Sequence, residues 1–166
     1  QEHFKDLSET PICYLGDGNN IVHSWLNFAS RVPIKFTIGT TETTLPDMEL
    51  VQYSKQQGIS DVMVINDPVE AVRDAKILYT DVWASMGEKE KADERRKLLM
   101  PYQINSHILS KAASGAKIMH CLPAERGWEI TSEVLDGPQS IVLDQAENRL
   151  HAQKAILLML DRWFRS

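Results

Sequence analysis

The sequence predicts an α/β domain of Rossmann-like, three-layer type, with a mostly parallel sheet of about five strands flanked by helices. Three observations predict it. Short apolar runs of strand length alternate with stretches of helical period along the chain. Gly, Asp and Asn gather where the apolar runs end. The 166 residues, 43% hydrophobic and 25% charged, suffice for one domain with a sizeable core, without internal repeat or low-complexity linker. Alternation of this kind joins parallel strands through right-handed helical crossovers.

The elements follow in order. "ICYLGD" (12–17) reads as a buried strand that ends at a Gly-Asp-Gly turn. "NNIVHSWLNFASRV" (19–32) sets Ile21, Val22, Trp25, Leu26 and Ala29 at helical spacing. "IKFTIGT" (34–40) is the second strand. "PDMELVQYSKQQG" (46–58) opens on Pro at a helix start and closes on Gly. "DVMVIND" (61–67) is the third strand, and "PVEAVRDA" a short helix after it. "KILYTDVW" (76–83) is the fourth strand. "EKEKADERRKLL" (88–99) is a helix whose charges make a solvated face with local ion pairs. "NSHILSKAA" (105–113) is another helix, "AKIMHCLP" (116–123) the fifth strand, and "SIVLDQ" (140–145) a candidate sixth. "ENRLHAQKAILLMLDRWF" (147–164) closes the chain as a long amphipathic helix.

Bulk properties narrow the function. A net charge of −5 argues against a nucleic-acid or anionic-membrane surface. No apolar run is long enough to span a bilayer, and no signal peptide opens the chain. Cys13 and Cys121 both lie inside apolar runs and form no disulfide framework, which points to a reducing compartment, the cytoplasm. The first residue is Gln1, as expected of a chain trimmed or cut from something longer.

Open parallel sheets bind ligands beyond the carboxyl ends of their strands. The residues expected there are Asp17 to Asn20, Thr40 to Thr44, Asn66 and Asp67, Asp81 to Gly87, His120 to Arg126, and Asp144 to Arg149. In "GDGNN" (16–20), a dinucleotide fingerprint would need a third Gly near position 21, where Ile21 stands; this argues against NAD. One of Asn19 and Asn20 is expected to cap the following helix, leaving the other amide for a ligand carboxylate. Asp81 reads either as a turn residue or as a carboxylate for a substrate ammonium. Ser85, Met86 and Gly87 follow it in a loop that Gly leaves free to act as a lid. His120 and Cys121 are neighbours on a strand, so their side chains leave opposite faces and are not expected to chelate one metal; no other spacing suggests zinc. A Cys–His nucleophilic pair would instead have to recruit His23, His107 or His151. The Leu122–Pro123 step leaves the Leu122 carbonyl without a ladder partner, free to accept from a ligand. Arg149 is placed at the start of the final helix, against the helix dipole; it either pairs with Glu147 or serves an anionic or carbonyl ligand.

Together, "GDGNNIVHS", "DVWASMG", "HCLPAERG" and "AENRLHAQKA", in this order and at fitting spacing, resemble the second, ornithine-binding domain of ornithine carbamoyltransferases, over essentially the whole chain. The resemblance implies transfer of the carbamoyl group of carbamoyl phosphate to the δ-amine of ornithine, giving citrulline and phosphate, without a metal or other cofactor. It implies that Asn20 holds the α-carboxylate end of the amino acid and Asp81 meets the α-ammonium. Ser85 and Met86 close over ornithine, Cys121 lies beside the δ-amine, and Leu122 offers its carbonyl to the carbamoyl amide. Arg149 polarises the carbamoyl carbonyl. "SMG" and "HCLP" point to ornithine rather than aspartate as acceptor.

Two features of such enzymes are not in the sequence: a Ser-Thr-Arg-Thr-Arg type phosphate loop and a His-Pro segment, which belong to the carbamoyl-phosphate-binding domain. "QEHFKDL" (1–7) is similar to the end of the helix that links the two domains. The chain is therefore expected to be one ornithine-binding domain over residues 1–166, nearly inactive alone. Members of the family are homotrimers, assembled chiefly through the first domain. The alternative is a stand-alone amino-acid-binding or regulatory module without catalysis.

Overall fold

Five short apolar runs become five parallel strands: β1 (Ile12–Leu15), β2 (Lys35–Gly39), β3 (Asp61–Ile65), β4 (Ile77–Thr80) and β5 (Lys117–His120), in the order β3-β2-β1-β4-β5. The computed structural model describes residues 2–83 and 89–165. Period-two alternation divides the side chains between two cores. Ile12 and Tyr14 of β1, Phe36 and Ile38 of β2, and Ile77 and Tyr79 of β4 face α1 (Asn20–Ala29) and α2 (Met48–Gln56), meeting Val22, Leu26, Ala29 and Val51. Cys13, Leu15, Leu78 and Ile118 face the other side. There they meet α3 (Pro68–Ala71), Leu99 at the end of α4 (Lys89–Leu99), α5 (Ser106–Leu109) and α6 (Ser132–Leu135). Sheet between two helical layers is the expected three-layer arrangement.

Local chemistry sets the helix starts. Asp47 accepts from the amides of Glu49 and Leu50, Asp67 from Glu70, and Asn105 from Ile108, each capping donors the helix cannot satisfy itself. Ser60 ties α1 to β2: its hydroxyl bonds the carbonyls of Ala29 and Val32 and accepts from the Ile34 amide.

Three expectations are corrected. Residues 140–145 form no sixth strand. Ser140 makes one isolated bridge to Ile118, and the chain then enters α7 (Val142–Arg165). A brief apolar run does not distinguish a strand from the first turn of a helix, and here Val142 is buried while Leu143 is 76% exposed. Arg149 therefore sits two turns inside α7 rather than at its start. Residues 2–7 are not helical. Asp6 instead folds the segment on itself, accepting from the amide and hydroxyl of Ser8, while the Asp6 carbonyl takes the hydroxyl of Thr10. These side-chain and backbone bonds offer the segment a local turn in place of a helix. Among the described residues no helix is long and apolar enough to cross a membrane.

Candidate active site

The strand order reverses direction at β1: β2 and β3 lie on one side of it, β4 and β5 on the other. The crevice between the carboxyl ends of β1 and β4 is the position at which such sheets bind ligands. The hydroxyl of Thr80 pins its two walls together, donating to the Leu15 carbonyl at 2.7 Å. Gly16, with φ 134°, turns the chain out of β1; a Cβ there would lie 2.8 Å from the indole nitrogen of Trp83.

Asp81 stands at the centre of this crevice, half-buried. One carboxylate oxygen accepts from the Asn19 amide at 3.1 Å, and the other from the Cys121 thiol at 2.8 Å. Three strand ends, remote in sequence, thus meet at one carboxylate. Asn19 is also the helix cap, its amide oxygen accepting from the Ile21 amide at 2.9 Å. That resolves the choice between the two amides: Asn19 serves the protein, and Asn20 is exposed at the first position of α1.

Burial first, then the hydrogen bond to Asp81, pushes the Cys121 thiol up to about 12. It is a neutral donor, not a thiolate. None of the three candidate imidazoles reaches it. His23 accepts from the Asp47 amide, His107 is exposed on α5, and His151 faces Glu147 at 3.5 Å on α7. Tyr79 and Tyr14 lie below; burial raises both phenols well above their ordinary range, and the Tyr14 hydroxyl has no partner among the described residues.

His120 and Cys121 do leave opposite faces, Cys121 joining the α1 side, yet Asp81, His120 and Cys121 bring ligating atoms within 4.8 Å of one another. Adjacency on the strand thus does not by itself keep these ligating atoms apart. What opposes a metal is hydrogen bonding. His120 Nδ1 accepts from the Leu122 amide at 2.9 Å, and Nε2 is 3.1 Å from Glu129, so both ring nitrogens are engaged.

Leu122 is half-buried with φ 55°, and no described residue donates to its carbonyl. Gln145 joins α7 to the site, accepting from the His120 amide at 3.0 Å and donating to the Tyr79 hydroxyl at 3.4 Å. Arg149 lies one turn further along the same face of α7, exposed. Ser85 and Met86 lie outside the described residues. Asp17, also at the crevice, pairs with Arg95 of α4 at 3.2 Å; burial raises its carboxyl above the usual range, opposed by Arg95. The sequence did not single out Asn19 as the partner of Asp81, nor Tyr79, Gln145 or Glu129. Asn19 and Gln145 carried one signal, their place just past an apolar run.

A doubly wound sheet thus gathers a carboxylate, an amide and a neutral thiol at its switch point. The family described as "Aspartate/ornithine carbamoyltransferase, Asp/Orn binding domain" matches residues 8–160, and this chain belongs to it. Among curated relatives, the chloroplastic ornithine carbamoyltransferase of Pisum sativum is 49% identical over 157 residues, 95% of this chain and 42% of the relative. The ornithine carbamoyltransferase of Syntrophus aciditrophicus is 50% identical over 149 residues, 90% of this chain and 49% of that one. The solved ornithine carbamoyltransferase of Pyrococcus furiosus superposes with a TM-score of 0.82 at 43% identity, over 89% of this chain and 48% of its own. That of Campylobacter jejuni superposes with a TM-score of 0.86 at 29% identity, over 92% and 52%. The chain spans about half the length of the relatives it matches.

Proposed function

We propose that this chain is the ornithine-binding half of a carbamoyltransferase, and that the other half supplies the carbamoyl-phosphate site. The observation that carries the proposal is the convergence of Asn19, Asp81 and Cys121 at the switch point of a chain in this family. Ornithine brings a carboxylate and two amines. Asp81 presents an anion for the α-ammonium, and the exposed Asn20 an amide for the α-carboxylate. The family resemblance assigns the ornithine side chain to Ser85 and Met86, which lie outside the described residues.

In the reaction, the neutral δ-amine attacks the carbonyl carbon of carbamoyl phosphate. A C–N bond forms, the C–O bond to phosphate breaks, and the amine loses a proton. Water-poor surroundings favour the neutral amine. Cys121, held protonated, is a polar neighbour of that amine rather than a covalent nucleophile. The Leu122 carbonyl accepts from the carbamoyl NH₂. Arg149 places a guanidinium where negative charge grows on the carbamoyl oxygen. Two cysteines without a disulfide support a reducing compartment, for which we propose the cytoplasm.

Titration calorimetry with ornithine, putrescine and aspartate tests the acceptor. Ornithine is expected to bind, and Asp81→Ala to lose it; preference for aspartate overturns the assignment. A citrulline assay of the chain, alone and mixed with a carbamoyl-phosphate-binding half, tests the reaction. Activity is expected only in the mixture. Ornithine binding with no citrulline from the mixture identifies a binding module instead.

A further inference from the structure

Glu129 is fully buried, and one of its oxygens, Oε2, has no partner among the described residues. Its other oxygen accepts from the Glu125 amide at 2.5 Å and meets His120 Nε2 at 3.1 Å. A buried carboxylate with a bare oxygen is a poor way to hold a fold together, since an apolar side chain of similar volume commonly does as well or better. The cost points to a task other than stability. His120, 1% exposed, shows what the task is. Its Nδ1 accepts from the Leu122 amide, so that nitrogen carries no proton, and in the neutral ring Nε2–H must donate to Glu129. The chain of bonds runs from Glu129 through His120 to the backbone of Leu122, where φ is 55°, a conformation a branched side chain resists.

Other anchors hold only the outer limb of this loop. Gln103 donates to the carbonyls of Gly127 and Trp128 at 2.9 Å each. Arg96 pairs with Glu125 at 2.8 Å and lies over the Trp128 ring at 4.7 Å. The inner limb, which carries Cys121 and the Leu122 carbonyl, is held from this side by His120.

We propose that Glu129 is a positioning residue acting through His120, and that the pair fixes the Leu122 carbonyl and keeps the Cys121 thiol on Asp81. The catalytic consequence rests on the transferase reading; the geometry does not. Two variants of the full chain separate positioning from filling. Glu129→Gln keeps an acceptor oxygen and the volume. Glu129→Leu keeps the volume alone. The rate of Cys121 alkylation by iodoacetamide reads the position of the thiol, and Cys13, fully buried, stays silent. Glu129→Gln is expected to match the parent. Glu129→Leu, still folded by circular dichroism, is expected to react about tenfold faster and to bind ornithine roughly tenfold more weakly, as misplaced groups do.

Equal rates in all three proteins overturn the proposal, and so does equal acceleration in both variants. If the parent does not bind ornithine, the transferase reading fails while the alkylation rates still decide the role of Glu129. Should Glu129→Leu not fold, imidazole nitrogen spectra of the parent decide. Protonated Nε2, unprotonated Nδ1 and a protected Leu122 amide are expected, and the opposite tautomer refutes the linkage.

Discussion

Asp81, at the end of β4, accepts the thiol proton of Cys121, at the end of β5, across 2.8 Å. A thiol that donates to a carboxylate is stabilised as a thiol, and burial acts in the same direction, so its deprotonation is pushed up to about 12. The alkylation rate of Cys121 is therefore expected to climb steadily above pH 9 instead of levelling near the ordinary thiol value of about 8.5. Asp81→Asn removes the charge and is expected to raise the rate at about pH 8 several-fold. A plateau reached by about pH 9 in the parent protein contradicts the geometry of this pair.

The buried thiols and phenols give stability an alkaline edge. Cys13 and Tyr14, both fully buried, have their deprotonation raised by desolvation, as do Cys121 and Tyr79 to a lesser depth. Above the ordinary values of 9.0 and 10.0 the unfolded chain releases protons that the folded chain keeps. The folded state then binds more protons, and stability falls as pH rises. Below about pH 8 these groups contribute no slope; above about pH 9 each retained proton removes up to about 1.4 kcal/mol per pH unit. Urea denaturation across this range is expected to show a midpoint that declines only on the alkaline side. Tyr14→Phe, which deletes a hydroxyl without a partner among the described residues, is expected to change stability by less than about 1 kcal/mol at neutral pH and to flatten the decline. A midpoint constant up to about pH 11 rules this account out.

Gly18 shapes the crevice by what it lacks. Its amide donates to the Thr44 carbonyl at 2.8 Å, drawing the loop after β2 against the loop after β1. A Cβ at Gly18 would stand 2.2 Å from the Pro46 nitrogen and 2.6 Å from the Leu45 carbonyl carbon, both backbone atoms that cannot rotate away. Gly18→Ala is expected to cost about 2–3 kcal/mol, as overpacking against rigid neighbours does, and to weaken ornithine binding. Gly58 offers the contrast. It has φ 65° with open space where the Cβ would go, so Gly58→Ala carries only the backbone penalty of about 1 kcal/mol and leaves binding unchanged. Chemical denaturation and calorimetry of both variants check the ranking; equal effects at the two positions refute it.

The strands were legible in the sequence because burial on both faces leaves continuous apolar runs, as in Ile12–Leu15 and Ile77–Thr80, and strand–helix alternation made them parallel, whereas their order was read only from the structure. The rim followed too, since residues just past each run must lie at the carboxyl edge. Asp81 and Cys121 were found this way. What the sequence left open was settled in three dimensions. Asn19 and Asn20 carry the same chemistry, and only the backbone at position 19 makes one the cap. Gln145 lies in an apolar context that reads as strand until Val142 turns the chain into a helix. Glu129 has no signature, because its partners His120 and Glu125 are set by the return of a loop and not by any periodicity.

Arg149 gives the sharpest separation of function from fold. It is exposed on α7, one turn beyond the Gln145 that binds β5, and no described side chain pairs with it. Glu147 faces His151 instead. A solvated arginine with no partner contributes little to stability, so Arg149→Gln is expected to alter the unfolding free energy by less than about 0.5 kcal/mol. Its proposed partner, the carbamoyl oxygen, gains charge only in the transition state. Citrulline formation in the mixture with the carbamoyl-phosphate-binding half should then fall about 10²–10³-fold, the usual loss when a donor to a developing oxyanion is removed. Arg149→Lys keeps the charge but loses the planar fork, and is expected to recover little of that rate. The affinity for ornithine, measured by calorimetry on the chain alone, should be unchanged in both variants. Undiminished turnover in Arg149→Gln, or a parallel loss of ornithine affinity, would place this residue outside the role proposed for it.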